Sequence, residues 1–406
     1  MYYTKQTVNI WILLLALCAG GCRPPVTPKK ENSMTNWNKL PDLPGMSDTA
    51  SLGVSAPFAG ITGGILVVAG GCNFPDKPVT EGGQKRYYDD IFFLDLQKET
   101  DPVWQPAGRL PHPVAYGASV TTSEGVICLG GNNSEASFPD VYRISRNATT
   151  GQAEICQLPS LPVSLDNFAA ACLHNTLYVA GGNENGKPSR SFYALPLDPA
   201  TDEGWQKLPD FPGAARVQPV LAAQQNKEGG GIYLTGGFEP VTGDAAPLIP
   251  TDLLLYDPAA REWRKEADLP LLADGSLRTL TGGCAVAWGD SSLLLAGGVN
   301  YNRFLAAIDR PRQMEMARKE GNKIRLDSLA EEGKNYMHHP VEWYRFNTAL
   351  LRYNTFTGEW ETLGEYEQLA RAGAGAVVNG NGLIIVNGEL KPGIRTPQVN
   401  RLTLEE

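Results

Sequence analysis

The sequence predicts an all-β fold, a six-bladed β-propeller with a helical insertion in the fifth blade, from three observations. An apolar run that ends in a Gly pair recurs along the chain. Most copies are followed by an aromatic-rich strand pattern, and one long charged segment interrupts the fifth copy. With 44 Gly, 30 Pro and 42% hydrophobic residues among 406, the chain is turn-rich and can bury a large core.

The repeated unit is a four-stranded meander. The apolar run recurs as "ILVVAGG", "VICLGG", "LYVAGG", "IYLTGG" and "LLLAGG", with "LIIVNG" as a degenerate sixth copy. A tryptophan often follows the next strand pattern, as at Trp104, Trp205, Trp263 and Trp360. The first five Gly pairs lie about 50 to 60 residues apart, which matches the kelch class of propeller repeat. Six copies therefore predict six blades.

The Gly pairs predict where the chain turns and where a site can form. A sharp turn at the end of a buried strand leaves no room for a side chain beside the neighbouring blade, and this requires glycine. The loops after the pairs should ring one central opening. Asparagine is frequent there because it tolerates left-handed turns, but convergence on one mouth also predicts a polar pocket of sugar size.

The two ends of the chain should meet in the last blade. The sixth copy ends at "QVNRLTLEE" with three strands, and "NWNKLPDLP", which contains Trp37, supplies a fourth from the other end. Such closure removes both free sheet edges. We therefore expect the propeller to occupy residues 37–406.

The segment between the fifth Gly pair and "EWYRFNTALLRY" is charged, contains alanine and lacks strand alternation. It predicts a helical insertion at about 304–341, as two short helices rather than one. The insertion has two alternative roles, a surface decoration or a lid over the propeller mouth. The lid is considered because long insertions in compact folds are often functional.

The N-terminus has the pattern of an export signal. An apolar run, small residues and Cys22 follow one another in "NIWILLLALCAGGC", and the run is too short for a comfortable membrane span. "AGGC" resembles a bacterial lipobox, although Ala19 replaces the usual leucine, and simple cleavage is the alternative. We expect a signal peptide at 1–22, a tether at 23–36 and a periplasmic protein anchored by a lipid on Cys22.

Charge and motif content exclude several functions. The net charge is -9 without a Lys/Arg-rich run, which argues against nucleic acid and leaves the possible lipid anchor as the only predicted membrane attachment. His338 and His339 lack a third ligand at metal-site spacing, and no phosphate- or dinucleotide-binding motif is present. We expect neither metal nor cofactor, and free rather than paired cysteines.

The loop "VNGELKPGIRT" carries the strongest chemical signal. Its Pro-Gly turn can fold Glu389 and Arg395 toward one site, as a carboxylate for proton transfer and a planar guanidinium for a ligand carboxylate. A solvated ion pair is the alternative that spacing alone favours.

The same loop resembles the signature loop of the N-acetylneuraminate epimerases, the kelch-propeller sialic acid mutarotases. "GGVNYNRF", the insertion and "ALLRYNTFTGEW" resemble the preceding blade of that family, and "APFAGITGGILVVAGG" resembles the following one. Because that blade comes first here, the chain resembles the cyclically permuted mutarotase family. A closed ring tolerates a cut between any two blades.

The resemblance implies functional residues. Glu389 matches the proposed proton acceptor and Arg395 the carboxylate-binding arginine, while Asn300 and Asn302 match pocket asparagines. Asn73 is a further candidate for substrate binding, in a loop that diverges from its counterpart. The implied function is a mutarotase that opens and recloses a sialic acid or a similar keto-sugar acid by acid/base catalysis. A non-catalytic propeller that binds glycans or a protein partner is the rival hypothesis.

We predict that Cys22 is the lipidated first residue of the mature protein, because the apolar run, the small residues and the cysteine stand in that order. Mass spectrometry of the protein from a bacterial host should find an acylated Cys22 at the N-terminus. A mature N-terminus elsewhere, with an unmodified Cys22, contradicts this prediction.

Overall fold

A computed structural model describes residues 36–46, 50–98, 100–198, 204–241 and 243–404. These residues form six four-stranded antiparallel sheets. Each innermost strand packs against the innermost strands of two other sheets, and the contacts run in a closed cycle. The predicted six-bladed propeller is therefore confirmed.

The blades follow the chain order, and their strands run from the channel outward. Blade one comprises Phe58–Thr62, Ile65–Ala69, Asp90–Asp95 and Gln105–Arg109. Blade two comprises Ala118–Thr122, Gly125–Leu129, Val141–Arg146 and Ala153–Leu158. Blade three comprises Ala169–Leu173, Thr176–Ala180, Phe192–Pro196 and Gln206–Leu208.

The remaining blades have the same order of strands. Blade four comprises Val217–Gln224, Gly231–Phe238, Asp252–Asp257 and Glu262–Asp268. Blade five comprises Gly283–Trp288, Ser292–Gly297, Ala349–Asn354 and Glu359–Glu365. Blade six comprises Gly375–Asn379, Gly382–Val386, Val399–Thr403 and Asn36–Leu40.

Short two- and three-residue strands lie in the loops at one end of the blades. They are Cys72–Asn73, Arg86–Tyr87, Leu165–Asp166, Asn183–Glu184, Lys187–Pro188, Glu389–Lys391 and Ile394–Arg395. Single 3₁₀ turns span Val79–Glu81 and Glu367–Leu369.

Burial explains the sequence of the strands. The second strand of a blade lies between two neighbouring blades, and "ILVVA" at Ile65–Ala69 is buried at every position. The outermost strand faces solvent, and in Gln105–Arg109 only the central Ala107 is buried. Apolar runs therefore mark the second strands, because both of their faces are covered.

The Gly pairs do mark close approaches between blades. Gly70 has a φ of 65°, and a Cβ there would lie 2.6 Å from the carbonyl oxygen of Val114 in the next blade. Gly181 has a φ of 70°, and its Cβ would lie 2.7 Å from the Arg216 carbonyl oxygen. The clash predicted from the sequence is thus with the neighbouring backbone, which cannot move aside as a side chain could.

Three of the repeated tryptophans form hydrogen bonds that link one blade to the next. Their indole Nε1–H groups donate to proline carbonyls of the preceding "LP" segments: Trp104 to Pro41 at 2.9 Å, Trp205 to Pro159 at 2.8 Å and Trp263 to Pro209 at 3.1 Å. In each of these three cases the tryptophan of one blade bonds to the "LP" segment of the blade before it, so the two motifs together form an inter-blade contact.

The N-terminal strand closes the ring. Asn36–Leu40 pairs antiparallel with Val399–Thr403, with Asn36 opposite Thr403 and Leu40 opposite Val399. The predicted closure is confirmed. Asn36, which the sequence analysis assigns to the tether, is already part of this strand.

Three helices lie between the second and third strands of blade five: α1 at Tyr301–Lys319, α2 at Lys323–Tyr336 and α3 at Val341–Tyr344. They begin before and end after the range 304–341. Two longer helices and a single turn thus replace the two short helices expected. No helix within the described ranges is long and apolar enough to span a membrane.

Residues 1–35, with the predicted signal peptide, most of the tether and Cys22, lie outside the described residues. Five cysteines of the described part have free thiols. Cys72 and Cys128 are buried, Cys172 and Cys284 are partly buried, and Cys156 is exposed on an outermost strand.

We predict that deletion of residues 1–44 destabilises the whole ring, because it removes the closing strand and the buried side chains of Leu40 and Leu43. Loss of two buried leucines costs about 3 to 6 kcal/mol, which corresponds to a fall in Tm of about 4 to 8 °C for a ring of this size. Deletion of residues 1–32 is the matched control and should leave Tm unchanged by calorimetry. Equal Tm values for the two truncations would show that the closing strand does not hold the ring.

Candidate active site

A closed circle of backbone hydrogen bonds surrounds the mouth of the channel. One residue from each blade, just before the innermost strand, donates its N–H to the carbonyl oxygen of the corresponding residue of the adjacent blade, at 2.7 to 3.2 Å. All six have a positive φ, between 52° and 68°. In chain order the six residues, here named the mouth circle, are Ala56, Tyr116, Asn167, Gln218, Gly282 and Gly373.

The first residue after each Gly pair lies directly beside this circle. Glu389 exchanges two backbone hydrogen bonds with Ala372, the residue before Gly373, at 2.7 and 3.0 Å. Cys72 pairs in the same way with Ser55, which precedes Ala56. The equivalent positions in blades two to five are Asn132, Asn183, Phe238 and Val299. The predicted convergence of these loops on one mouth is confirmed.

A cavity of about 240 Å³ opens at this mouth. Its lining includes all six residues of the mouth circle and Glu389. The circle presents larger polar side chains in blades two to four, at Tyr116, Asn167 and Gln218. Blades five, six and one carry glycine or alanine. The cavity is thus polar on one side and open on the side where Glu389 enters.

Glu389 and Arg395 lie opposite each other on a short hairpin. The strands Glu389–Lys391 and Ile394–Arg395 pair across a turn at Gly393, whose φ is 86°. The N–H of Gly393 donates to Glu389 Oε1 at 2.8 Å, and Arg395 Nη1 lies 3.0 Å from the same oxygen. The Pro-Gly turn therefore does bring the two charges together, as the sequence predicts.

The two side chains of this pair differ in exposure. Glu389 is 24% exposed toward the cavity, whereas Arg395 is 3% exposed and its guanidinium lies 4.8 Å from the ring centre of Phe74. Arg395 Nε and Nη1 are buried without an aligned hydrogen-bond acceptor. Buried donors without acceptors are costly, so an additional acceptor such as a ligand carboxylate would be stabilised there. The exposed ion pair that spacing alone favours is not what forms.

The helical insertion contacts this hairpin. Lys391 Nζ donates to the carbonyl oxygens of His339 at 2.6 Å and Met337 at 3.3 Å. A Cβ on Gly393 would meet Val79 of blade one at 2.5 Å and Met337 of the insertion at 3.5 Å. The hairpin is thus held between the insertion and the loop of blade one.

The asparagines named from the sequence lie elsewhere. Asn73 is 2% exposed; its amide donates to the Gly53 carbonyl at 2.9 Å, and its oxygen accepts from the Tyr88 hydroxyl at 2.6 Å. Asn300 caps helix α1 by accepting from the Arg303 N–H at 3.1 Å. Asn300 and Asn302 line a second cavity, of about 750 Å³, beside the insertion. The structure therefore does not bring these three side chains into the cavity with Glu389.

Tyr116 also lines the mouth cavity, and the sequence alone does not single it out. Its phenol oxygen accepts from Lys85 Nζ at 3.1 Å and from the Cys72 thiol at 3.4 Å. Burial, and next the Cys72 thiol, raise the pKa of Tyr116, so the phenol is protonated at neutral pH. An alignment of the six repeats at the start of their innermost strands would have shown Tyr116 at a position where two blades have glycine.

Metal ligands are not grouped at this mouth or elsewhere in the described ranges: no three His, Cys, Asp or Glu side chains lie where they could hold an ion.

Comparison with known proteins identifies the family. The family model for N-acetylneuraminate epimerase matches residues 26–150 and 158–406. Relatives named N-acetylneuraminate epimerase include those of Haemophilus influenzae (strain PittEE), 33% identical over 64% of this chain and 61% of the relative, and of Salmonella typhi, 28% identical over 63% and 60%. The alignments thus span about three-fifths of these curated relatives.

The solved structure of YjhT superposes with a TM-score of 0.58 over 90% of this chain and 97% of the YjhT chain, at 18% identity. At that identity the likeness supports the fold alone. The predicted circular permutation stays a prediction. The family model, by contrast, covers most of the sequence, and the chain belongs to the N-acetylneuraminate epimerase family.

Proposed function

We propose that this protein is a mutarotase that interconverts the anomers of N-acetylneuraminate, or of a similar keto-sugar acid, by acid/base opening of the sugar ring. The observation that carries the proposal is the hairpin on which Glu389 faces the mouth cavity with Arg395 Nη1 3.0 Å from its carboxylate. The names of the relatives support the choice of substrate.

Glu389 acts as the base. Ring opening requires removal of the proton from the anomeric hydroxyl while the ring oxygen leaves the same carbon. The carboxylate is fixed for this task by the Gly393 N–H at 2.8 Å and by the backbone pairing of Glu389 with Ala372. One oxygen of the carboxylate is therefore held, and the side chain still faces the cavity.

Arg395 binds the carboxylate of the sugar. A guanidinium can hold a carboxylate by two parallel hydrogen bonds, which also orients the carbon beside it. Because the Arg395 side chain is 3% exposed, this contact requires a local opening of the hairpin or of the loop that carries Phe74. The reacting carbon of a keto-sugar acid bears the carboxylate, so the same contact places that carbon near Glu389.

The protein acts in the periplasm, anchored through Cys22. The order of apolar run, small residues and cysteine before residue 23 supports this part of the proposal. A free sugar acid that enters from outside the cell would meet the enzyme in that compartment.

The proposal is tested by an NMR time course of freshly released α-N-acetylneuraminate. The unmutated protein should shorten the approach to anomeric equilibrium in proportion to its concentration. Exchange at the spontaneous rate would contradict the enzyme and favour the non-catalytic propeller that binds glycans or a protein partner.

Glu389→Gln should lower the rate of anomer exchange by about 10²- to 10⁴-fold, because the amide keeps the shape of the side chain but cannot accept the proton. Sugar affinity, measured by calorimetry, should be retained. Glu359→Gln is the matched control, since Glu359 is exposed on the outermost strand of blade five. Full exchange in Glu389→Gln would place the base elsewhere.

Arg395→Lys should weaken the binding of N-acetylneuraminate by about 10- to 100-fold, because the charge remains but the two-point contact is lost. The methyl ester of the same sugar lacks the carboxylate charge and should bind both proteins with similar affinity. An equal loss for acid and ester in calorimetric titrations would show that Arg395 supports the fold of the hairpin and not the carboxylate.

A further inference from the structure

We propose that Tyr116 is the general acid that protonates the ring oxygen of the sugar, an inference that rests on the proposed mutarotase function. Ring opening needs a proton donor as well as a base. The residue types that commonly serve as general acids are His, Asp, Glu, Lys, Tyr and Cys. In the described lining of the mouth cavity these types are Glu389, Tyr116 and Cys284.

Glu389 and Cys284 are not available as the general acid. Glu389 is the proposed base, and its carboxylate accepts from Gly393. The Cys284 thiol donates to the Ala296 carbonyl at 3.5 Å, within its own blade. Tyr116 is therefore the remaining acid with a proton to give to a ligand in this cavity.

The contacts of the Tyr116 phenol leave its proton available. Lys85 Nζ and the Cys72 thiol both donate to the phenol oxygen, at 3.1 and 3.4 Å. A phenol has one proton to donate and two lone pairs to accept with, so these two contacts occupy the acceptor side. Among the described residues, none accepts a hydrogen bond from the phenol O–H.

The backbone places Tyr116 close to Glu389. In the mouth circle Tyr116 donates to Ala56, and Ala56 donates to Gly373. Glu389 pairs with the residue before Gly373, and Cys72, which contacts the phenol, pairs with the residue before Ala56. The acid and the base thus come from positions separated by one blade, and both line the same cavity.

The conformation of Tyr116 is unusual for its type. Its φ is 60°, a region that bulky residues rarely occupy. Glycine occupies the same position in blades five and six, so closure of the propeller does not require a tyrosine there. Strain of this kind persists where a site uses the side chain.

The reaction balances without a cofactor. Glu389 takes the proton of the anomeric hydroxyl, the O–H electron pair becomes the second bond of the ketone, and the bond from the anomeric carbon to the ring oxygen breaks. The ring oxygen takes the proton of Tyr116. After rotation about the bond to the neighbouring carbon, the hydroxyl attacks the other face of the ketone, its proton returns to Tyr116, and Glu389 returns its proton to the carbonyl oxygen.

Lys85 stabilises the phenolate that forms in between. The ammonium group of Lys85 lies 3.1 Å from the phenol oxygen and 5.0 Å from the ring centre. An opposite charge at this distance favours the ionised form. Lys85 is therefore a positioning residue whose charge acts through Tyr116.

The test measures anomer exchange in Tyr116→Phe, which removes the hydroxyl and keeps the ring. The exchange rate should fall by about 10²-fold or more, while sugar affinity by calorimetry and Tm stay close to those of the unmutated protein. Tyr142→Phe, in the same blade, is the matched control: its hydroxyl is buried without a partner, and exchange should be unchanged.

Lys85 provides a second test that does not require Tyr116→Phe to fold. Lys85→Met should slow exchange about tenfold, and Lys85→Arg should restore most of the rate, because it returns the charge beside the phenol.

The possible failures are distinguishable. If the unmutated protein exchanges anomers and Tyr116→Phe does so at the same rate, the tyrosine is not the acid, although the mutarotase stands. Equal rates in Lys85→Met, Lys85→Arg and the unmutated protein also contradict the inference. Exchange at the spontaneous rate in the unmutated protein overturns both the proposed function and this inference.

Discussion

The closed circle of six backbone hydrogen bonds at the channel mouth is the constraint on which the site depends. Each bond joins two blades, and each donor must adopt a positive φ to reach its neighbour. Because the circle is closed, the position of any one blade is fixed by the other five. Two other features help to close the propeller. The Gly pairs allow close approach between blades, and the strand Asn36–Leu40 leaves no open sheet edge.

The residues of the proposed mechanism stand where this sixfold pattern is broken. The scaffold offers equivalent positions in every blade, one in the mouth circle and one after each Gly pair. Glu389 is the one carboxylate among the residues that directly follow the pairs, and Tyr116 is the one acid in the circle. In the proposed mechanism the scaffold therefore sets the spacing between these positions, and Glu389 and Tyr116 provide the base and the acid.

The sequence predicted those features that depend on local pattern. The Gly pairs, the second strands and the Glu389–Arg395 hairpin are each encoded within a few residues, and all occur as expected. The closing strand is predictable because the sixth copy of the repeat lacks one strand of a complete blade. Tyr116 could not be recognised in this way, since the role proposed for it depends on contacts with Lys85 and Cys72, which lie in another blade. Asn300 is predicted to line the pocket; in the structure it caps helix α1 and lines the cavity beside the insertion.

The most direct test of the proposed site is a crystal structure of the protein with bound N-acetylneuraminate. We expect the sugar in the mouth cavity, with its carboxylate on the Arg395 guanidinium, its anomeric hydroxyl on Glu389 and its ring oxygen within hydrogen-bond distance of the Tyr116 hydroxyl. A sugar bound only in the cavity beside the insertion, or one whose carboxylate points away from Arg395, would contradict it.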